Sequence, residues 1–107
     1  MVKFVDLDAF IKELEKDWHN VERRIVRVTR VERPSSRGAV NVVLFATARL
    51  TNGDILKLEY FVGQVWPKYP EYSAITERNF AEAKQQLEKA IADLNLEVRD
   101  GIFEEAS

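Results

Sequence analysis

From Val21 to Val62 the hydrophobic period is two, and the parity of the apolar residues restricts how this part of the chain can pair. Val21 to Arg33, VERRIVRVTRVER, alternates and is rich in β-branched residues, which predicts a long strand. Pro34-Ser35-Ser36-Arg37-Gly38 supplies turn residues, and Ala39 to Leu50 reads as a second strand. In that strand Val40, Val42, Leu44, Ala46, Ala48 and Leu50 face one way, and Asn41, Val43, Phe45, Thr47 and Arg49 the other. The even face is the more apolar and is predicted to be the core face. Ile55 to Val62 gives a third strand whose even residues Leu56, Leu58, Tyr60 and Val62 form the matching row.

Parity also chooses the hairpin. A two-residue Asn52-Gly53 turn would pair Leu50 with Ile55 and bury Lys57 and Glu59 beside the core row. A three-residue loop, Thr51-Asn52-Gly53 with glycine in the left-handed position, pairs Leu50 with Asp54 and Leu44 with Tyr60. The second register keeps both apolar rows together and is the one expected.

The flanking segments have helical spacing. Leu7, Phe10, Ile11, Leu14 and Trp18 line one side of a first helix, with Asp6 as its cap and Asp8 at the positive end of its dipole. Phe80, Ala83, Leu87, Ala90, Ile91 and Leu94 form the stripe of a second helix, for which Ser73 or Thr76 is the predicted cap. Between sheet and helix, Gly63 to Tyr72 holds two prolines and three large aromatics, an ordered connector in which Trp66 and Tyr72 close one end of the core. Leu96 to Glu104, LEVRDGIFE, adds a short fourth strand at most. The expected fold is therefore one α+β domain over residues 1–107: a two-layer structure with an antiparallel three- or four-stranded meander packed against two helices.

Composition narrows the function. The absence of cysteine excludes disulfides, thiolate catalysis and Cys-based metal sites, and the lone His19 leaves little room for a His-based metal site or triad. Glu13 and Asp17 stand one helical turn apart beside lysines, as on a solvated helix face. No phosphate-binding glycine loop or nucleophile elbow occurs, so a non-enzymatic protein without cofactor or metal is expected. No segment reads as a secretory leader or membrane span, which makes the cytoplasm the default compartment. Abundant Glu, Lys and Arg, with no Cys and only the initiator Met, resemble thermophile usage.

The net charge of −2 hides a local excess. Between Arg23 and Arg37 lie six arginines against the single Glu32. If Arg33 pairs with Ala39, the odd face carries Arg23, Arg27, Arg33, Arg49 and Lys57 around Ile25, Val43, Phe45 and Phe61, with Glu59 as the main opposing charge. Cations for phosphates and flat rings for unpaired bases are what single-stranded DNA or RNA requires, and Trp66 in the connector would wall the groove. Arg23, Arg27, Arg33 and Arg49 are then the phosphate contacts, and Phe45 and Phe61 the stacking rings. A first strand shifted by one would exchange Arg24 and Arg30 for Arg27 and Arg33. The competing reading buries the same face in a homodimer or against a protein partner.

In element order and composition the chain resembles the thermophilic archaeal single-stranded-DNA-binding family called ThermoDBP. VERRIVRVTRVER, the Val43/Phe45 row and the terminal LEVRDGIFE carry the resemblance. It implies a small antiparallel sheet flanked by helices, with a basic and apolar cleft that binds single strands.

Overall fold

The computed structural model describes residues 1–104. The three long strands form where alternation predicts them: β2 at Val21–Pro34, β3 at Val40–Leu50 and β4 at Ile55–Val65. Two short strands complete the sheet, β1 at Val2–Phe4 and β5 at Glu97–Asp100, in the order β1-β4-β3-β2-β5. β1 runs parallel to β4 and β5 parallel to β2. The expected purely antiparallel meander is thus corrected to a mixed five-stranded sheet with the meander at its centre. The difference arises because α1 (Leu7–Asp17) and α2 (Pro70–Asp93) are crossover connections. Each carries the chain across the sheet in the same direction, from β1 to β2 and from β4 to β5. Crossovers of one hand running one way put both helices on one face.

That inner face holds the core. Leu44, Ala46, Ala48, Leu56 and Leu58 meet Phe10, Leu14, Leu87 and Ile91. Each fully buried leucine, isoleucine or phenylalanine among them contributes roughly 1.5–3 kcal/mol. Asp6 caps α1 as expected, accepting the Asp8 backbone N–H at 2.9 Å. The caps expected of Ser73 and Thr76 are corrected: both lie inside α2, which begins at Pro70. Ser73 Oγ instead accepts the Trp66 N–H at 2.6 Å, and Thr76 Oγ1 donates to the Gln64 carbonyl at 2.7 Å. These bonds clamp the first turns of α2 onto the end of β4. Gly63 lies under the clamp, where a Cβ would come within 2.7 Å of Thr76 Oγ1.

The Thr51-Asn52-Gly53 hairpin has the predicted register. Leu44 pairs with Tyr60, Leu50 N–H donates to Asp54 O at 2.7 Å, and Gly53 has φ +94°. The β2–β3 register differs by two residues, Arg33 facing Asn41 rather than Ala39. Pro34 extends the strand because β5 pairs β2 only from Ile25 to Val28, leaving Pro34 on a free edge where its missing N–H removes no ladder bond. A shift of two keeps the parity, so Arg27 and Arg33 remain on the outer face. Arg30 turns inward to Glu77 on α2, with two bonds of 2.9 and 2.7 Å.

Candidate nucleic-acid interface

The outer face is a lattice of cross-strand rows, roughly 6.6 Å apart along each strand. One row runs Lys3, Lys57, Thr47, Arg27, Arg99 across all five strands. The next is Glu59, Phe45, Thr29, and the next Phe61, Val43, Val31. Beyond a bulge in β4 comes Gln64, Asn41, Arg33, in which Gln64 Nε2 donates to Asn41 Oδ1 at 3.0 Å and to Ser35 Oγ at 3.1 Å. β3 is buried on both sides: Val43, Phe45 and Thr47 are buried, like the inner-face residues Val42, Leu44, Ala46 and Ala48 that alternate with them.

The chain itself covers one half of this surface. After β5 the backbone leaves the sheet edge and crosses the outer face. Gly101 N–H donates to Val28 O at 3.1 Å and Phe103 N–H to Thr47 Oγ1 at 2.8 Å. The Phe103 ring lies against two guanidiniums, Arg27 at 5.0 Å and Arg49 at 4.9 Å from its centroid. Arg27 Nη1 also donates to Asp100 O at 3.0 Å, and Arg49 lies 3.8 Å from Glu22. Two of the expected phosphate contacts are thus engaged within the molecule, and Phe103 is a ring of the site that alternation alone does not place.

The other half is open. Phe61 is 56% exposed in a row with Val43 and Val31. Phe45 is covered: Arg33 and Lys57 lie over its ring at 5.2 and 4.9 Å, leaving it 5% exposed. Arg33 has no acidic partner among the described residues. Lys57 shares Glu59 with Lys3, each ammonium 3.0 Å from a carboxylate oxygen. Burial pushes the Glu59 carboxyl up, but the hydrogen bonds and charges of Lys3 and Lys57 outweigh it and hold the group below its ordinary range.

Arg23 does not join either half. β2 bulges between Val21 and Val26, and Arg23 and Arg24 both adopt left-handed φ, 56° and 59°. The expected pairing of Arg23 with Arg49 is replaced by the Glu22 contact. Arg24 donates to Asn95 O at 3.1 Å and covers Trp18. Trp66 lies half-buried beyond the Gln64 row, while Tyr72 is 66% exposed and does not close the core as expected. Lys3, Arg99 and Phe103 enter the surface through elements too short for their periodicity to be read.

Among the described residues no group of three or more acidic or histidine side chains is placed to hold a metal ion, and no helix is long and apolar enough to cross a membrane. Comparison with family models, curated proteins and solved structures gives no match for this chain.

Proposed function

We propose that the open half of the outer face binds single-stranded nucleic acid, with Phe61 stacking on a base and Arg33 and Lys57 contacting the flanking phosphates. The observation that supports this reading most is the exposed Phe61 ring, one row from the cation-covered Phe45 and one row from Arg33. Leaving a phenylalanine in water has no folding benefit, whereas a base stacked on such a ring is worth roughly 1–3 kcal/mol. Arg27 and Arg49 add positive potential from beside the covering segment. A sheet face of this kind takes unpaired bases and has no helix to enter a duplex groove, so preference for single strands follows. The ThermoDBP resemblance points to the same class of ligand.

The test is fluorescence anisotropy of labelled single-stranded DNA, single-stranded RNA and duplex DNA at two salt concentrations. With three to four phosphates neutralised, the logarithm of the binding constant should fall with that of salt with a slope of roughly −2 to −3. No binding to single strands at low salt would overturn the proposal.

A second reading has one observation in its favour. Beyond Leu58, β4 has no neighbour on its outer edge among the described residues, and Tyr60 to Val65 carries no charge to guard it. Pairing of this edge with a second copy would form a homodimer, visible in sedimentation as concentration-dependent mass.

A further inference from the structure

The β2–β3 loop and the connector between β4 and α2 meet at one end of the sheet around a cleft of about 340 Å³, lined by Arg37, Gly38, Trp66, Lys68 and Tyr69. Two cations and two aromatic rings line it, and no carboxylate does. Neither Arg37 nor Lys68 has an acidic partner among the described residues. Trp66 is held by its backbone, which bonds Ser73 Oγ through both its N–H and its carbonyl. Its indole N–H has no acceptor among the described residues and is not buried, so it is free to donate to a ligand. Tyr69 is half exposed, and nothing lies within 4 Å of where a Cβ at Gly38 would stand, so the cleft is open at both walls.

Arginine and lysine on a solvated loop are unremarkable alone. Here their charge is unopposed beside two rings, in a space at the lower limit of small-ligand sites, which begin near 300 Å³. We propose that this cleft binds one nucleotide unit. The base stacks on Trp66 or Tyr69, the phosphate lies between Arg37 and Lys68, and the Trp66 indole N–H bonds an oxygen or ring nitrogen of the ligand. This deepens the single-strand reading and rests on it: the Gln64-Asn41-Arg33 row lies between Phe61 and the cleft, so a strand leaving the Phe61 platform reaches the cleft with a following nucleotide. The same chemistry would accept a free mononucleotide.

The chain has two tryptophans, so Trp18→Phe leaves Trp66 as the only indole reporter. This variant would be titrated with a single-stranded oligonucleotide, deoxyadenosine 5′-monophosphate, deoxyadenosine and inorganic phosphate, following tryptophan emission, with anisotropy of labelled oligonucleotide in parallel. The expected result is quenching by both oligonucleotide and mononucleotide, about tenfold weaker binding of the nucleoside, and about a tenfold loss of nucleotide affinity in Arg37→Ala/Lys68→Ala. The Trp66 indole resonance in the wild-type chain reads the same event without the Trp18 substitution. Quenching by oligonucleotide alone would assign the cleft to the polymer, and quenching by mononucleotide without oligonucleotide binding would retain the cleft and remove the single-strand reading. Anisotropy binding with no response at Trp66 would overturn the cleft and leave the platform standing. Silence in both would overturn both.

Discussion

At the Arg27 end of the outer face two arginines hold the chain's own Phe103 ring, whereas at the Arg33 end Phe61 stands in solvent beside an arginine with no acidic partner among the described residues. The composition of the two ends is alike. What separates them is the course of the backbone after β5, which brings Phe103 N–H to Thr47 and leaves the Phe61 row uncovered. Aromatic and cationic residues on a sheet are therefore not by themselves a binding surface: where the chain supplies the ring, they are part of the fold. The open end is backed instead from the inner side, by the clamp of Ser73 and Thr76 on β4 and its connector.

The clamp gives the largest expected effect. Gly63→Ala places a Cβ 2.7 Å from Thr76 Oγ1 and 3.2 Å from Thr76 Cγ2, so either the Thr76 side chain turns away and gives up its bond to the Gln64 carbonyl or α2 moves off β4. Overpacking of this kind costs about 2–3 kcal/mol, read as a lower urea midpoint. An unchanged midpoint would show that the open end does not depend on its backing.

The two phenylalanines should separate binding from stability. Phe61→Ala removes a mostly exposed ring, so stability changes by less than about 0.5 kcal/mol while single-strand affinity falls roughly tenfold. Phe103→Ala removes two cation–π contacts and their packing, lowering stability by about 1–2 kcal/mol. It uncovers Arg27 and Arg49, and affinity should hold or rise. Equal effects of the two substitutions on anisotropy would erase the distinction between the ends. A smaller change follows from Glu59→Gln, which releases Lys3 and Lys57 from their shared carboxylate. Oligonucleotide binding should tighten about threefold at low salt, with the gain shrinking as salt is added.

How much of this could be read beforehand follows the length of each element. The Gly53 hairpin was legible because two long strands of fixed parity admit one register and a glycine supplies the left-handed residue. The bulge at Arg23 and Arg24 was not, because no glycine, asparagine or aspartate marks those two left-handed positions. Val2–Phe4 and Glu97–Asp100 are too short to show a period, and their parallel pairing depends on where the helices return the chain. On the outer face, parity identified Arg27, Arg33, Lys57, Phe45 and Phe61 as neighbours. It did not show that Phe45 would be covered, since that depends on long side chains reaching across rows, or that Phe103 would lie on Arg27 and Arg49, since that depends on a segment without regular structure.

An effect of similar size concerns the arginine that faces the other way. Arg30 turns to the inner edge, where its two bonds to Glu77 hold that carboxyl below its ordinary range against a smaller opposing effect of burial. A carboxylate depressed in the folded state stabilises the fold above its unfolded pKa, about 4.3, and that contribution is lost as pH falls through the lower folded value. Both partners are partly solvated, so the bridge is worth about 0.5–1 kcal/mol. Glu77→Gln should accordingly lower stability by that amount at every pH from about 5 to 8, and the gap to the wild-type chain should narrow as the pH falls below the unfolded pKa of about 4.3. Urea unfolding of the two chains at pH 7 and pH 3 measures it. A gap as wide at pH 3 as at pH 7 would mean that Glu77 acts through packing rather than through its charge, and that the inward turn of Arg30 is set by its stacking on Phe80, whose centroid lies 5.1 Å from the guanidinium.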